Sequence, residues 1–396
     1  MDYDFETVVD RSGSGSVKWD MMLQADSGVP KGIVPLSIGD MELKTPPELV
    51  AGLKQYLENA ILGYTAPTGE YLRTVADWFR LRHGWDIRKD WIVGFDGVVP
   101  ALYAAVNAFT RPGEGVIYMP PVYRPMYAAI ADTGRRPVSV PLLLGEGGYG
   151  IDFDGMERAA ADPGVSMLLF CSPHNPVSRV WRFDELERLG RICLEHNVLV
   201  VSDEIHMDFT MPGHAHVAFP LISSRFADRC VVCTAPSKTF NIAGLQVSNI
   251  IIANQELRRR FQDVYRTGGR FGVNQLGLEA CRLAYAHCEH WLDAVTGHIH
   301  RNGETVRRFM AKHFPEIWVF DHEGTYFLWL DFRAWGLSAE ALEKRMIGEA
   351  RLFLDEGHVF GPEGAGFERV NLACPAAVLD DALERLRRAG RPGPVR

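Results

Sequence analysis

TAPSKTFNIAGLQVSN (234–249) lies between two apolar, β-branched runs, CVVCT (230–234) and SNIIIA (248–253). Both runs read as strands, so the stretch joining them is a connection of small, hydroxyl and amide side chains with one lysine, Lys238, near its start. Lysine ordinarily prefers open solvent. Taken alone, the segment reads as a surface lysine in a turn.

The same pattern repeats on the N-terminal side. WIVGF (91–95), GVIYM (115–119), RPVSVPLLL (136–144), SMLLFC (166–171) and NVLVVS (197–202) are further strand candidates, most of them apolar on both faces. Helical patterns such as DELERLGRICLEH (184–196) separate them. This alternation predicts an α/β architecture with a mostly parallel, seven-stranded sheet. From about residue 291 a long helical stretch leads to the strand-like TYFLWLDF (325–332), a helix at 338–351 and short strands to 372. The expected organisation is a large domain over 46–290 and a smaller α+β domain built from 1–45 and 291–396.

Ligands of open α/β sheets bind beyond the carboxyl ends of the strands. There the sequence places Asp203 in VVSDEIHMDF (200–209), Asn175 in FCSPHNPVSRVW (170–181) and Tyr123 in the Pro-rigid PPVYRP (120–125). GFDGVVPALYAAV (94–106) joins strand to helix through Gly97, where backbone N–H groups can cradle a phosphate. Lysine, carboxylate, amide, phosphate loop and aromatic plate thus share one sheet edge. Pyridoxal 5'-phosphate (PLP) needs all five. A lysine condenses with its aldehyde and then acts as a base, and a carboxylate keeps the pyridine nitrogen protonated. An amide tunes the phenolate oxygen, an aromatic ring stacks, and a helix N-terminus holds the phosphate.

The composition agrees with such an enzyme. The formal net charge of -8 argues against a general affinity for nucleic acid or anionic membrane. Arg258, Arg259 and Arg260 follow Glu256 in a helical pattern and read as a solvated helix face. No apolar stretch reaches the roughly 18 to 20 residues that span a bilayer. The acidic start MDYDFETVVD lacks a signal-peptide plan, so a cytoplasmic location is expected. The seven cysteines suit reduced, buried thiols.

Three motifs point elsewhere. GEGGYG (145–150) fits a dinucleotide fingerprint, but no helix starts at its glycines; it reads as a loop, with the helix beginning after Asp154 as N-cap. Cys230 and Cys233 are three apart on a strand and face opposite sides, so they cannot share a metal. Cys281, His287, Cys288 and His290 have no second ligand pair, so no metal is expected.

Read together, the motifs resemble the fold-type I PLP-dependent enzymes, in the class I/II aminotransferase family and its cystathionine β-lyase-like C–S lyase branch. The resemblance is carried by KWD (18–20), LGYTAPTGEYLRTVADWFRLRHGW (62–85), GVVPAL (97–102), PPVYRPM (120–126), SPHNPVSRVW (172–181), SDEIHMD (202–208), APSKTFNIAGL (235–245), TYFLWLDFR (325–333) and FERVNLACP (367–375). It implies Lys238 as Schiff-base lysine and proton shuttle, and Asp203 as partner of the pyridinium. It puts Asn175 on the phenolate oxygen with His206 in the neighbouring layer, and Tyr123 on the ring face. Gly97, Val98 and Val99 then hold the phosphate through backbone amides, with Ser237 as an added donor. Tyr64 reaches into a neighbouring subunit's site, implying a homodimer with shared active sites. Arg369 clamps the substrate α-carboxylate, with Gly39 lying against it. Packing is the plain alternative for Tyr123, Tyr64 and Val98, and a surface ion pair for Arg369.

The sequence departs from that pattern in four places. Ser37 stands where the branch usually carries tryptophan, Ser172 replaces an asparagine, and Ser178 replaces a glycine in what reads as a surface detail. Gln246 stands where aminotransferases place a phosphate-gripping arginine. Ser37 suggests an enlarged substrate pocket. The implied reaction is β-elimination from a cysteine S-conjugate or cystathionine-like amino acid, giving thiol, pyruvate and ammonia. Transamination or decarboxylation of such a conjugate is the alternative, and a non-catalytic PLP-binding regulator the remote one.

Overall fold

In the computed structural model, which describes residues 3–269 and 272–393, thirteen strands form three sheets. They are β1 (Ile92–Phe95), β2 (Gly115–Tyr118), β3 (Arg136–Ser139), β4 (Leu143–Gly145), β5 (Gly148–Gly150), β6 (Val165–Cys171), β7 (Leu199–Asp203), β8 (Cys230–Thr234), β9 (Ser248–Ile251), β10 (Trp318–Val319), β11 (Phe327–Asp331), β12 (Asp355–Glu356) and β13 (Phe367–Asn371).

The large sheet has the order β1-β9-β8-β7-β6-β2-β3. Its neighbours from β8 to β3 pair in parallel, while β9 runs antiparallel to β8 and to β1. Alternation along the central strands feeds two separate cores. Leu168, Phe170, Val200 and Val232 pack into one, while Met167, Leu169, Val201 and Val231 pack into the other. Cys230 and Cys233 fall into different cores, as their spacing requires, and all seven cysteines are free and buried.

Because β6, β7 and β8 run in parallel, their carboxyl ends lie side by side, with Cys171 paired to Asp203 and Asp203 to Cys233. Asn175, Asp203 and Lys238 follow or close these strands in turn. The antiparallel β9 lets the chain return after Lys238 by a short helix, Pro236–Thr239, and a 3-10 turn, Ala243–Leu245.

A smaller antiparallel sheet has the order β10-β11-β13-β12. Residues 36–42 run beside it: Leu36 N–H donates to Phe353 O, Asn371 N–H to Leu36 O, and Glu42 N–H to Ala373 O. The same segment is tied to the lysine turn by Asn241. Its amide oxygen accepts from Met41 N–H, and its nitrogen donates to Met41 O and Leu43 O. No helix among the described residues is long and apolar enough to cross a membrane.

Four local readings need correction. RPVSVPLLL is not one strand: Pro141 has no N–H for a ladder, and the chain leaves the large sheet after Ser139. Its end pairs instead with the GEGGYG stretch as a hairpin, Gly145 opposite Gly148, so this stretch is a turn flanked by strands rather than a loop. The following helix, Phe153–Ala160, is capped by Asp152, whose carboxylate accepts from Gly155 N–H; Asp154 belongs to its first turn.

The fourth correction concerns Ser178, which is buried rather than a surface detail. It adopts the left-handed conformation (φ 61) that glycine takes easily. Its hydroxyl donates to Phe327 O across 2.6 Å and lies 3.1 Å from Thr325 Oγ1, so it fastens the 172–181 loop to the start of β11.

Candidate active site

Lys238, Asp203, Asn175, His206, Tyr123, Gly97, Val98, Val99, Ser237, Gly39 and Arg369 all border one cavity of about 710 Å³. That volume is ordinary for a small-molecule site. Of the residues given a role toward cofactor or substrate above, Tyr64 does not line it; its side chain is fully exposed on the segment after the helix Pro47–Asn59.

The Lys238 amine donates to the Gly39 carbonyl. Burial pulls its pKa down to about 8, against the opposing pull of Asp40. Behind it Thr239 donates to Asp208 across 2.6 Å. Asp208 also accepts from Trp78 and contacts His83, both on the helix Gly69–His83, so a buried carboxylate anchors the lysine turn.

Asp203 closes β7 and is 4% exposed. Burial pushes its carboxyl up to about 7, although Ile205 N–H donates to it and Lys238 is near. Among the described residues no cation pairs directly with this buried acid, a need that a protonated ring nitrogen would satisfy. Its neighbour Glu204 is structural instead, accepting from Ser202 Oγ, Phe219 N–H and bonded to His216.

Gly97 precedes the helix Val98–Phe109, which has no side-chain cap. Gly97 has φ 122, a conformation L side chains rarely adopt. Its N–H donates to Ser248 Oγ, and Pro100 has none, so Val98 and Val99 supply the open amides of this helix end. Of the three residues expected to hold phosphate, Gly97 shapes the turn and the valines carry the donors.

Tyr123 N–H donates to Asn175 O, which fixes these two loops together, and burial raises the Tyr123 phenol pKa. Burial also drives the His206 ring well below its ordinary pKa, helped by the charges of Lys238 and Arg369. The ring is therefore neutral near pH 7. It packs edge-on against Tyr326 and Phe327.

Arg369 is buried, not a surface ion pair. Its guanidinium lies between Phe327 and Phe360, with centroid distances of 3.8 and 4.7 Å. Nη1 donates to Asn175 Oδ1 across 2.6 Å, leaving the Asn175 Nδ2 as a donor toward the cavity. Nε and Nη2 donate to a single oxygen of Asp355. The sequence reading missed Asp355 and Tyr326. Tyr326 lies inside a quoted motif; nothing in LDEGHVFG marks Asp355 as different from any loop acid.

The family described as aminotransferase class I and II matches residues 31–386. The chain belongs to that family. Its sheet order and its cover of helices are those of the fold-type I PLP-dependent enzymes. It is 40% identical over 385 residues to cystathionine beta-lyase PatB of Bacillus subtilis, covering 97% of this chain and 99% of that one. It is 32% identical to protein MalY of Escherichia coli, covering 98% and 99%. The crystal structure of cystalysin from Treponema denticola, which contains a PLP cofactor, superimposes with a TM-score of 0.97 at 47% identity, covering 98% and 99%.

Proposed function

We propose that this protein is a PLP-dependent C–S β-lyase that converts a cysteine S-conjugate or a cystathionine-like amino acid to thiol, pyruvate and ammonia. The observation that carries the reading is the buried Lys238 amine, with its pKa near 8, sharing one cavity with the buried Asp203 and with Arg369. The similarity to proteins named cystathionine beta-lyase and cystalysin supports it.

Bound PLP supplies the aldehyde that Lys238 engages and a ring that takes up electron density from the substrate Cα. Asp203 would pair with the ring nitrogen; Val98 and Val99 would donate backbone N–H groups to the phosphate, with Ser237 beside them. Tyr123 would cover the ring face, and Asn175 would donate Nδ2 to the phenolate oxygen while its Oδ1 holds Arg369. Arg369 would grip the α-carboxylate through the remaining N–H of Nη1 and of Nη2, beside Gly39. Lys238 would take the Cα proton, and the thiolate would leave from Cβ. Water completes the balance by converting the remaining three-carbon unit to pyruvate and ammonia. Positioned proton transfer of this kind typically contributes roughly 10² to 10⁴ in rate.

The working unit is a homodimer in which Tyr64 of each copy completes the other's site. The exposed run Ile61, Leu62 and Tyr64, with Val50 and Leu57 on the preceding helix, is an apolar surface a second copy would cover. Seven free thiols suit a reducing compartment such as the cytoplasm.

The test mixes purified, PLP-loaded protein with L-cystathionine and S-alkyl-L-cysteines, without any keto acid. Equimolar pyruvate and thiol over many turnovers, lost in Lys238→Ala, is the expected result. A single-turnover conversion of the cofactor to its amine form, without pyruvate, overturns the lyase reading in favour of transamination.

A further inference from the structure

The α-carboxylate site is assembled from two separate pieces of chain, and one carboxylate oxygen joins them. On β13, Arg369 presents its guanidinium; opposite it on β12, Asp355 is its cross-strand partner. Asp355 Oδ2 accepts from Arg369 Nη2 across 2.6 Å and from Arg369 Nε across 3.1 Å. The same oxygen accepts from Ile38 N–H across 2.9 Å. Ile38 precedes Gly39, the residue expected to lie against the carboxylate.

Ile38 has φ 53, a conformation that costs a β-branched residue free energy and persists only where the surroundings hold it. Two residues do so. Asp355 takes its N–H, and Asn371, two residues beyond Arg369, donates its side-chain nitrogen to Ile38 O across 2.7 Å and to Asp40 O across 2.8 Å. Asp355 also fixes how Arg369 is presented. By accepting from both Nε and Nη2 it fixes the plane of the guanidinium, while Asn175 holds Nη1.

We propose that Asp355 is the positioning residue for substrate carboxylate recognition: it aims Arg369 and holds Ile38–Gly39 in place with the same oxygen. This rests on the reading above that Arg369 receives the α-carboxylate. Asp355 does not touch the reacting atoms, and no motif that carries the family resemblance includes it.

The test titrates PLP-loaded protein with L-alanine and with L-alaninamide, following cofactor absorbance; neither ligand carries a leaving group. Wild type is expected to prefer L-alanine. Asp355→Ala is expected to weaken L-alanine roughly 10- to 100-fold, as for a recognition group displaced by about 1 Å, with little change for L-alaninamide. Asp355→Asn keeps an oxygen for Ile38 N–H and Arg369, so it recovers part of the loss; it also serves if the alanine variant does not fold. With an S-alkyl-L-cysteine, KM rises while kcat stays within a few-fold. If Arg369→Ala loses the preference for L-alanine and neither Asp355 variant does, or if they bind it more tightly, the proposal is overturned alone. If Arg369→Ala keeps that preference, the carboxylate reading of Arg369 falls, and the proposal with it.

Discussion

The Lys238 amine donates to the Gly39 carbonyl across 2.6 Å, and the Tyr326 hydroxyl reaches the same oxygen from 2.7 Å. A Cβ built on Gly39 would stand 2.9 Å from Lys238 Nζ and 3.5 Å from Phe327 Cζ. The lysine tip can swing aside, so the protein should fold, but with its amine displaced. Gly39→Ala is expected to lower kcat by about 10²-fold while leaving unfolding within about 0.5 kcal/mol of wild type. Pyruvate release and thermal unfolding check the two halves.

The lysine's depressed pKa governs loading of the cofactor. The amine must be neutral to attack an aldehyde, and its neutral fraction rises as pH passes through about 8. The rate at which cofactor-free protein turns yellow at fixed PLP should therefore climb between pH 7 and 9 and then level. A rate that still rises in proportion to hydroxide above pH 9 would mean that the buried amine titrates near its ordinary value.

Asp203 makes a different pH prediction for the cofactor-free protein. Its folded pKa of about 7 lies above the model-compound value of 3.8, so the folded state holds the proton more tightly than the unfolded chain. Its contribution is fully present below about pH 4 and is lost as pH rises toward 7. A shift of about three units corresponds to roughly 4 kcal/mol. Asp203→Asn removes this loss, so the variant should gain on wild type in denaturant stability between pH 4 and 7. With PLP and substrate it should lose about 10² or more in kcat, since the ring nitrogen has no charge partner.

Ser178 sets two effects against each other. Ser178→Gly relieves a left-handed serine but gives up the hydrogen bond to Phe327 O, so it should cost about 1 kcal/mol or less. Ser178→Ala keeps the strained backbone and leaves that buried carbonyl short of its donor, at about 1–3 kcal/mol. The alanine variant should be the less stable in urea unfolding. The reverse order would mean the hydroxyl contributes little.

Shared sites can be tested by mixing. Tyr64→Ala and Lys238→Ala are each expected to lose most activity as purified proteins. Unfolded together and refolded, they form mixed dimers with one intact site, and pyruvate release should return. No recovery in mixtures shown to contain heterodimers would remove Tyr64 from the partner's site.

Lys238, Asp203 and Asn175 could be found from the sequence because a parallel sheet sends its strand ends to one edge, and the strands were visible as apolar runs. Asp355 and Ile38 could not. The strand that carries Asp355 is two residues long and has no period, and the left-handed turn at Ile38 uses a residue that ordinarily avoids it. The GEGGYG hairpin is hidden for a related reason: both its strands are three residues long, and β5 has two glycines in three, so it lacks the side chains that betray a strand. Ser178 looked peripheral because its burial depends on Phe327 and Thr325, far along the chain.

The segment 36–43 is laced to the small sheet through Leu36, Ile38 and Glu42 and to the lysine turn through Met41 and Leu43. One run of eight residues thus does two jobs at once: its Gly39 carbonyl meets the Lys238 amine, and its Ile38 N–H meets the Asp355 oxygen that also accepts from Arg369. The spacing between the lysine and the arginine is therefore set by this seam rather than by either sheet alone.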